Sequence, residues 1–345
     1  MDPNISVIVS TLNGERYIKE TITALLAQTF ADFELIVSND GSIDRTTEIL
    51  RGFEDRRLTV VESNQNRGIA ESLNRAISVA RGEYIALQDH DDLSVPIRLE
   101  RQLAFLEEHR DVGLVGSGCI VIDEEGKPTG EWTVPLSDID LKWSLLIHNP
   151  FLHTSLMIRR TALCSLAPYS PDTRFSYAED YEFLSRFAAT QAVANIPEPL
   201  VKWREHGSQA SSRHIRAQEQ AAMNISLRNM THLLKGKVVD PSLWFALKRL
   251  LRAKPGERVT VSQEEVHKVE HHIAALQAAF YERHSFTSAR VDEHRRKLSR
   301  LVGRHFVALA CKRNKGIDLS SRSALLSVGT RFLLQTFKTS AQAAG

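Results

Sequence analysis

The chain has 345 residues, of which 42% are hydrophobic and 25% are charged, and its formal net charge is +2. These values are ordinary for a water-soluble folded protein, and they exclude a wholly disordered, collagen-like or disulfide-scaffold protein. Because the length exceeds that of most single domains, the sequence predicts a larger, catalytic-type domain and a smaller second part.

The first residues and the cysteines indicate the compartment. Met1–Asn4 include an acidic residue where a secretory signal carries bases, and the apolar run that follows is too short for such a signal. No uninterrupted apolar stretch approaches the roughly 18 to 20 residues that span a bilayer. Cys119, Cys164 and Cys311 are far apart, odd in number and without metal-ligand spacing, which favours reduced thiols. The sequence therefore predicts a cytoplasmic protein.

The N-terminal part alternates strand and helix patterns. In chain order, the predicted elements are strand Ile5–Ser10, helix Arg16–Gln28, strand Phe33–Ser38, helix Arg45–Arg51, strand Leu58–Glu62, helix Gly68–Arg81, strand Tyr84–Gln88 and helix Pro96–His109. We expect Ser42 to cap the second helix and Pro96 to open the fourth. Alternation with short connections predicts parallel strands joined by right-handed crossovers, and hence a doubly wound, mostly parallel α/β sheet.

Acidic residues follow two of these strands, at the edge where such sheets bind ligands. Asp89, Asp91 and Asp92 come directly after the fourth predicted strand. No glycine-rich phosphate loop and no Walker lysine is present, so the carboxylates would bind phosphate only through a cation. Mg²⁺ or Mn²⁺ held by one or two carboxylates and a substrate diphosphate is a recurring arrangement. The alternative is a solvated acidic turn that caps the next helix.

Three further polar groups are candidates for chemistry. Asp40 follows the second strand and could accept a hydrogen bond from a nucleobase or a ribose hydroxyl, or it could simply form an Asx turn. Glu179 and Asp180 open a predicted helix, where one of them could act as a general base, or both could serve as helix-capping charges. Arg204 and His206 end the final predicted strand and could meet diphosphate oxygens, or they could belong to an ordinary polar loop.

The ordered set of motifs resembles the family-two glycosyltransferases over about residues 4–212. The matching segments are Val7-Ile8-Val9-Ser10-Thr11-Leu12-Asn13-Gly14, Asn39-Asp40-Gly41-Ser42-Ile43-Asp44, Asn66-Arg67-Gly68, Gly82-Glu83-Tyr84-Ile85-Ala86, Asp89-His90-Asp91-Asp92, Glu179-Asp180 and Trp203-Arg204-Glu205-His206. The resemblance implies the GT-A fold, with a Rossmann-like nucleotide-binding half, and an inverting, metal-dependent enzyme that uses a nucleotide-sugar donor. One departure is Asn39, where many members of the family carry an aspartate.

The resemblance also implies roles for individual residues. The nucleotide and the donor sugar would be bound by Thr11, Asn13, Glu15, Asp40, Asn66, Gly68 and Asp89. Arg204 is included with them because it lies at the end of the last predicted strand, where it could meet the diphosphate. The metal, Mn²⁺ or Mg²⁺, would be held by Asp91, Asp92 and His206. Asp180 would be the catalytic base with Glu179 supporting it, and His153 matches a histidine often present in bacterial members.

The resemblance thus predicts transfer of a sugar, with a UDP-sugar as the first expectation, to a hydroxyl of a glycan or lipid-linked acceptor in bacterial cell-surface polysaccharide synthesis. Two alternatives remain. A sugar-nucleotide pyrophosphorylase would need a glycine- and lysine-rich loop after the first strand, which Asn13–Arg16 do not supply. A non-catalytic scaffold with the same fold would be favoured by loss of the acids, but Asp89, Asp91 and Asp180 are all present.

The C-terminal part differs in charge from the rest of the chain. Residues 1–214 carry 21 basic and 32 acidic residues, a balance of −11, whereas residues 215–345 carry 23 basic and 10 acidic residues, a balance of +13. We therefore expect a catalytic domain at 1–214 and a basic, mostly helical region at 215–345. Its segment 290–337 could lie on an anionic membrane at the inner face of the plasma membrane, or it could pack against the catalytic domain or a second subunit in a homo-oligomer. No nucleic-acid-binding module is recognisable.

Overall fold

The computed structural model describes residues 2–163, 169–252, 261–311 and 319–342. The chain forms two compact units, one made of Met1–Lys142 with Asn149–Ala222 and the other of Trp143–His148 with Met223–Gly345. The second unit thus includes six residues from the middle of the chain. No change in sequence composition indicates that these six residues belong to it. Cys119 is a buried free thiol, whereas Cys164 and the side chain of Cys311 lie outside the described residues.

The first unit contains a sheet of nine strands. The strands are β1 (Ile5–Thr11), β2 (Phe33–Asn39), β3 (Leu58–Glu62), β4 (Tyr84–Asp89), β5 (Leu93–Ser94), β6 (Val112–Ile122), β7 (Pro128–Trp132), β8 (Met157–Arg159) and β9 (Ala192–Arg204). The helices that begin in this unit are α1 (Ile18–Leu26), α2 (Thr46–Arg51), α3 (Ile69–Val79), α4 (Arg98–Glu108), α5 (Asp138–Ser144), α6 (Arg160–Leu163), α7 (Glu179–Ala188), α8 (Ala210–Arg213) and α9 (Ile215–Leu233).

The strand order is β3-β2-β1-β4-β8-β6-β9-β5, with β7 paired to β6. Strands β3, β2, β1 and β4 are mutually parallel, and β6 is parallel to β9, whereas β8 runs antiparallel to both of its neighbours. The predicted doubly wound, mostly parallel α/β sheet is therefore confirmed. The chain reverses its winding direction between β1 and β4, and such switch points are where open α/β sheets bind ligands.

The core explains why these segments are strands. Strands β1 and β2 are rich in β-branched residues, and their apolar side chains are buried, as expected for parallel strands covered by helices on both faces. The helices contribute buried apolar stripes, such as Ile18, Ile22 and Leu25 of α1. This packing fixes the sheet, so that loops at its carboxyl edge are held on a rigid base.

Two local predictions were wrong. The hydroxyl of Ser42 accepts a hydrogen bond from the amide of Asn13 (2.9 Å), and the start of α2 is capped instead by Asp44, whose Oδ1 accepts from the amide and the hydroxyl of Thr46. Helix α4 begins at Arg98, so Pro96 lies in the preceding turn. There its carbonyl accepts from the amide of Thr29 at 2.9 Å.

The regular elements described in the second unit are all helices. They include the C-terminal part of α9, α10 (Pro241–Arg252), α11 (Gln263–Arg283), α12 (Ser288–Cys311) and α13 (Leu319–Gln342). The sequence left open whether α12 lies on a membrane surface or packs within the protein. Its apolar side is buried within the unit at Leu298, Val302, Phe306 and Leu309. Phe306 meets Phe332 of α13 edge to face, and the side chains of residues 333–342 lie outside the described set. Among the described helices, none combines the length and apolarity needed to cross a membrane.

Candidate active site

The ends of three adjacent strands bring the predicted site residues to one edge of the sheet. Thr11 of β1 stands in register with Asn39 of β2, and the neighbouring Ser10 stands opposite Asp89 of β4. Since all three strands are parallel, the loops that follow them leave the sheet side by side. The acidic residues after β2 and β4 therefore lie on either side of the loop after β1.

The loop after β1 is tied to the loop after β2. Asn13 has a left-handed backbone (φ 52°), and its Oδ1 accepts from the amide of Ile43 at 3.0 Å. Glu15 accepts from the amide of Arg45 at 3.0 Å. The side chains of Asn13 and Glu15, both predicted for the donor site, therefore connect the two loops. The buried hydroxyl of Thr11 has no hydrogen-bond partner within the described part of the chain.

Asp40 joins the loop after β2 to the start of α3. Its Oδ2 accepts from the amides of Arg67 (3.0 Å) and Gly68 (2.8 Å), and its Oδ1 accepts from Arg75 at 3.2 Å. Asn66 caps the same amide of Gly68 at 2.9 Å. The structure therefore brings Asp40 and residues 66–68 together, with the Asp40 side chain buried and its oxygens engaged by the protein.

Gly41 is required where these two loops cross. Its φ is +79°, and a Cβ placed on it would lie 2.6 Å from the carbonyl carbon of Gln65. Side chains other than glycine rarely adopt this backbone conformation, and the neighbouring atom here is backbone that cannot rotate away. Gly41 therefore permits the close approach that lets Asp40 reach the 66–68 loop.

Asp91 and His206 form a pair of potential metal ligands. His206 Nε2 lies 2.9 Å from Asp91 Oδ2, and the side chains are 5% and 16% exposed, respectively. Burial alone would raise the pKa of Asp91, but the hydrogen bond from His206 and the nearby charges of His90 and His206 lower it overall. An ionised carboxylate and an imidazole nitrogen thus converge on one point.

Tyr17 packs beside the pair of Asp91 and His206, a position that the sequence did not indicate. Its ring lies 5.0 Å from the His206 ring and 4.5 Å from the Arg204 guanidinium, measured between centres. Its buried hydroxyl has no hydrogen-bond partner among the described residues. The helical spacing of Tyr17 indicates a core position, and only the fold shows that this position borders the site.

The side chains of Asp92 and Arg204 are buried in the protein interior. Asp92 is 1% exposed and accepts from the backbone amide of Arg204 at 2.8 Å. The Arg204 guanidinium donates to the carbonyl of Asp91 (2.9 Å) and to the carboxylate of Glu20 (2.7 Å). Burial and the charges of Asp91 and Asp89 raise the pKa of Asp92 well above its ordinary value. The structure thus places both residues behind Asp91, where they fix the acidic turn.

Arg98 is a second residue that the sequence analysis missed. Its side chain is fully buried, and it donates to the carbonyls of Leu87 (2.7 Å) and Leu156 (3.2 Å) and to Gln88 Oε1 (2.9 Å). Burial lowers the pKa of Arg98 to about 9, against the opposing charges of Asp89 and Asp92, so the guanidinium is positively charged at neutral pH. A buried cation therefore lies beneath the acidic turn.

Asp89 and Asp180 both lie close to His153. The carboxylate of Asp89 lies 2.9 Å from His153 Nδ1. Asp180, in the first turn of α7, accepts from the side-chain amide of Asn149 and from the backbone amide of Tyr181, both at 2.7 Å. These bonds orient the Asp180 carboxylate, and Asn149 is a partner that no sequence motif identified.

Burial controls the acidity of the two helix carboxylates. It raises the pKa of Asp180, and the negative charge of Asp89 adds to this effect, while His153 and the two hydrogen bonds counter it in part. Burial and the charge of Asp180 likewise raise the pKa of Glu179. A carboxylate with a raised pKa is a stronger proton acceptor, as a general base must be.

The described residues contain no group of three or more His, Cys, Asp or Glu side chains suited to hold a metal ion. The pair of Asp91 and His206 does fit a metal whose other positions are filled by substrate phosphates and water. Carboxylate oxygen suits Mg²⁺ and Mn²⁺, and imidazole favours the softer of the two, Mn²⁺. The pair can therefore supply part of a coordination shell and needs a phosphate-bearing ligand to complete it.

Comparison with known proteins relates this chain to sugar-transferring enzymes. A family described as "Glycosyl transferase family 2" matches residues 6–164. An uncharacterized glycosyltransferase of Haemophilus influenzae is 34% identical over 248 residues, which are 69% of this chain and 76% of the relative. The amylovoran biosynthesis glycosyltransferase AmsE of Erwinia amylovora is 26% identical over 260 residues, which are 72% of this chain and 94% of AmsE.

Solved structures share the fold. TarS of S. aureus, residues 1–349, in complex with UDP-GlcNAc has a TM-score of 0.55 and 19% identity, covering 96% of this chain and 91% of TarS. The mannosyltransferase PcManGT of Pyrobaculum calidifontis, in complex with GDP-Man and Mn²⁺, has a TM-score of 0.51 and 20% identity, covering 97% of this chain and 88% of that chain. At these identities the likeness establishes the fold.

Proposed function

The chain belongs to glycosyltransferase family 2, and we propose that it is an inverting enzyme that moves a sugar from a nucleotide-sugar donor to a hydroxyl of a glycan or lipid-linked acceptor. The observation that carries this proposal is that the end of β4 is joined to two groups suited to the chemistry. Asp91 contacts His206, and Asp89 contacts His153, which lies within electrostatic reach of the oriented Asp180 carboxylate. Relatives in polysaccharide biosynthesis favour a product at the cell surface. Membership of this family supports sugar transfer rather than the alternative activity of a sugar-nucleotide pyrophosphorylase.

We assign the donor to the edge formed by β1, β2 and β4. The nucleoside would lie over the loops that carry Thr11, Asn13 and Glu15 and over the junction of Asp40 with residues 66–68. Asp89, whose side chain is 36% exposed, can accept from hydroxyls of the ribose or the donor sugar.

Asp91 and His206 would hold Mn²⁺ or Mg²⁺ against the diphosphate. A divalent cation there would neutralise the charge that develops on the leaving nucleoside diphosphate. The protein contributes the orientation of these two ligands. Arg204 and Asp92 fix the turn from behind through hydrogen bonds at 2.9 and 2.8 Å, and Tyr17 packs against the imidazole. We therefore assign Asp92 and Arg204 a positioning role.

Asp180 would act as the general base. It takes the proton from the attacking acceptor hydroxyl, whose oxygen forms a bond to the anomeric carbon while the bond from that carbon to the diphosphate oxygen breaks. The electron pair of the broken bond leaves with the nucleoside diphosphate. Attack from the face opposite the leaving group inverts the anomeric centre, so an α-linked donor gives a β-glycoside. Asn149 and the amide of Tyr181 hold the carboxylate in place.

We further propose that the enzyme works at the cytoplasmic face of the membrane and that α12 contacts anionic lipid. Arg296, Arg300 and Arg304 recur every four residues along the helix, and no ion pair joins them to another described residue. Together with Glu293, Lys297 and Leu301, which is 66% exposed, they line a groove of about 680 Å³, so that four basic side chains and one acidic side chain face it. Because the apolar side of α12 is buried, the contact would be electrostatic and superficial.

The donor class is tested by calorimetric titration of UDP and of GDP into the full-length protein, with and without Mn²⁺. We expect UDP to bind in a metal-dependent manner. Binding of GDP instead would keep the transferase and change the donor class. If neither nucleotide binds to the folded protein in excess Mn²⁺, the non-catalytic scaffold becomes the better explanation.

A further inference from the structure

His153 lies between the carboxylate of Asp89 and the hydroxyl of Tyr169. Its Nδ1 is 2.9 Å from Asp89 Oδ1, and its Nε2 is 3.1 Å from the Tyr169 oxygen. The imidazole is only 13% exposed. Both ring nitrogens are therefore engaged, and the ring lies between the strand that carries the donor-site acid and the segment that leads to the base.

The two partners of His153 are themselves held in place. Tyr169 exchanges two hydrogen bonds with the side chain of Asn74 on α3, through its amide (2.8 Å) and its carbonyl (2.7 Å). Its ring packs against Phe183 of α7, with centroids 4.8 Å apart. The amide of Asp89 donates to the hydroxyl of Thr154 at 3.1 Å. The imidazole is thus fixed from three elements of the fold.

The groups that face His153 are acidic. They are Asp89 from β4, Glu179 and Asp180 from α7, and the Tyr169 hydroxyl from the segment before that helix. Burial alone lowers the pKa of His153, but the contact with Asp89 and the charges of Asp180 and Glu179 raise it overall. Conversely, His153 lowers the pKa values of Asp180 and Glu179. Three carboxylates in one partly buried cluster repel one another unless a cation lies among them.

We propose that His153 is a positioning residue that carries a positive charge in the working enzyme, holding Asp89 in its donor-binding orientation and keeping Asp180 ionised as the base. This inference rests on the proposed function, because it takes Asp180 as the proton acceptor. A neutral histidine could make the same two hydrogen bonds, with Nδ1–H donated to Asp89 and the Tyr169 hydroxyl donated to Nε2. The charge is therefore the property that separates this role from a purely structural one.

The test is a titration of the imidazole groups of the full-length protein by NMR after labelling of histidine. The His153 resonance is assigned as the one missing in His153→Gln, or, if that variant does not fold, as the one most shifted in Tyr169→Phe. We expect His153 to titrate above its ordinary pKa of about 6.5 and to titrate lower in Asp180→Asn and in Asp89→Asn. A pKa at or below 6.5, or one that does not change in Asp180→Asn, would overturn the proposal.

The pH dependence of donor turnover supplies a second readout. With UDP-GlcNAc as probe and UDP release as signal, loss of the positive charge in His153→Gln should move the acidic limb of the rate to higher pH. Tyr169→Phe, which removes a hydrogen bond and no charge, should leave that limb in place. If Asp180→Asn keeps full turnover, then the assignment of the base fails, whereas the histidine titration still decides the charge on His153.

Discussion

His206 Nε2 lies 2.9 Å from Asp91 Oδ2 although 115 residues separate the two in the chain. Strand β9 delivers His206 and the loop after β4 delivers Asp91, and Arg204, two residues before the histidine, donates to the Asp91 carbonyl at 2.9 Å. The same short segment thus supplies one of the two proposed metal ligands and fixes the backbone of the other. This coupling makes the pair a rigid site rather than a chance contact of two loops.

Replacing Asp91 by Asn should abolish metal-dependent binding of UDP. An amide lacks the negative charge that a divalent cation requires, and the described residues offer only one further ligand, His206. We expect the calorimetric signal of UDP with Mn²⁺ to fall to that seen without metal. Asp32→Asn, which makes the same change in an exposed loop, should leave binding unchanged.

Asp92 provides a sharper control because it adjoins Asp91 but faces the interior. Its Oδ1 accepts from the Arg204 amide at 2.8 Å, and the carbonyl of Asn can accept the same bond. Asp92→Asn should therefore keep metal-dependent UDP binding. Equal loss of binding in Asp91→Asn and Asp92→Asn, with both proteins folded, would show that Asp92 is itself a metal ligand, as the sequence analysis expected.

Replacing Asp180 by Asn should lower the rate of sugar transfer by about 10²- to 10⁴-fold, the usual contribution of a general base. Binding of UDP should persist, since the proposal gives Asp180 a role toward the acceptor and not toward the nucleotide. Radiolabelled sugar transfer to a membrane extract measures the first effect, and calorimetry measures the second. Glu179→Gln, its neighbour on α7, should have a smaller effect, and a near-normal rate in Asp180→Asn would reject the assignment.

The raised pKa of Asp180 gives this prediction a pH dependence. The base must be ionised, and its pKa lies above the ordinary 3.8, so the active form is lost at a higher pH than for an exposed aspartate. Transfer should therefore decrease as the pH falls through that raised value. The acidic limb should be absent from the residual rate of Asp180→Asn.

The basic surface of α12 predicts binding to anionic vesicles. Alanine at Arg296, Arg300 and Arg304 should weaken sedimentation with phosphatidylglycerol-containing vesicles by about 100-fold, since each base contributes about 1 kcal/mol. The wild-type protein should also dissociate as salt is raised, because screening weakens such contacts.

The matched control for α12 is a triple alanine variant at Lys19, Arg51 and Arg110, which are exposed in the first unit. This variant removes three positive charges, as the α12 variant does. If both triple variants lose equal affinity, then net charge and not α12 accounts for binding. If the wild-type protein does not bind these vesicles at low salt, then the lipid contact is wrong.

Much of the fold could be predicted from the sequence because local patterns determine it. The β-branched runs at 5–10 and 33–38, the short connections and the acids at strand ends indicate the parallel sheet and its ligand-binding edge. The direction of individual side chains was not predictable. The sequence around Arg98 is typical of an exposed charged residue on a helix, and the sequence around Arg204 is typical of a residue that binds phosphate. Both side chains are nevertheless buried. Their partners come from distant strands and loops that no local pattern reveals.

Replacing the buried Arg98 by Met should lower the free energy of unfolding by about 3–5 kcal/mol, the usual cost of breaking a buried charge network. The change removes two hydrogen bonds of a buried network, those to the carbonyls of Leu87 and Leu156. The Leu156 carbonyl keeps its second donor, the amide of Leu87 at 2.9 Å. The change also removes the cation beneath the acidic turn. Denaturant unfolding measures the loss, and Arg101→Met, on the exposed side of the same helix, should change stability little. Equal stability of the two variants would show that the buried guanidinium does not support the acidic turn.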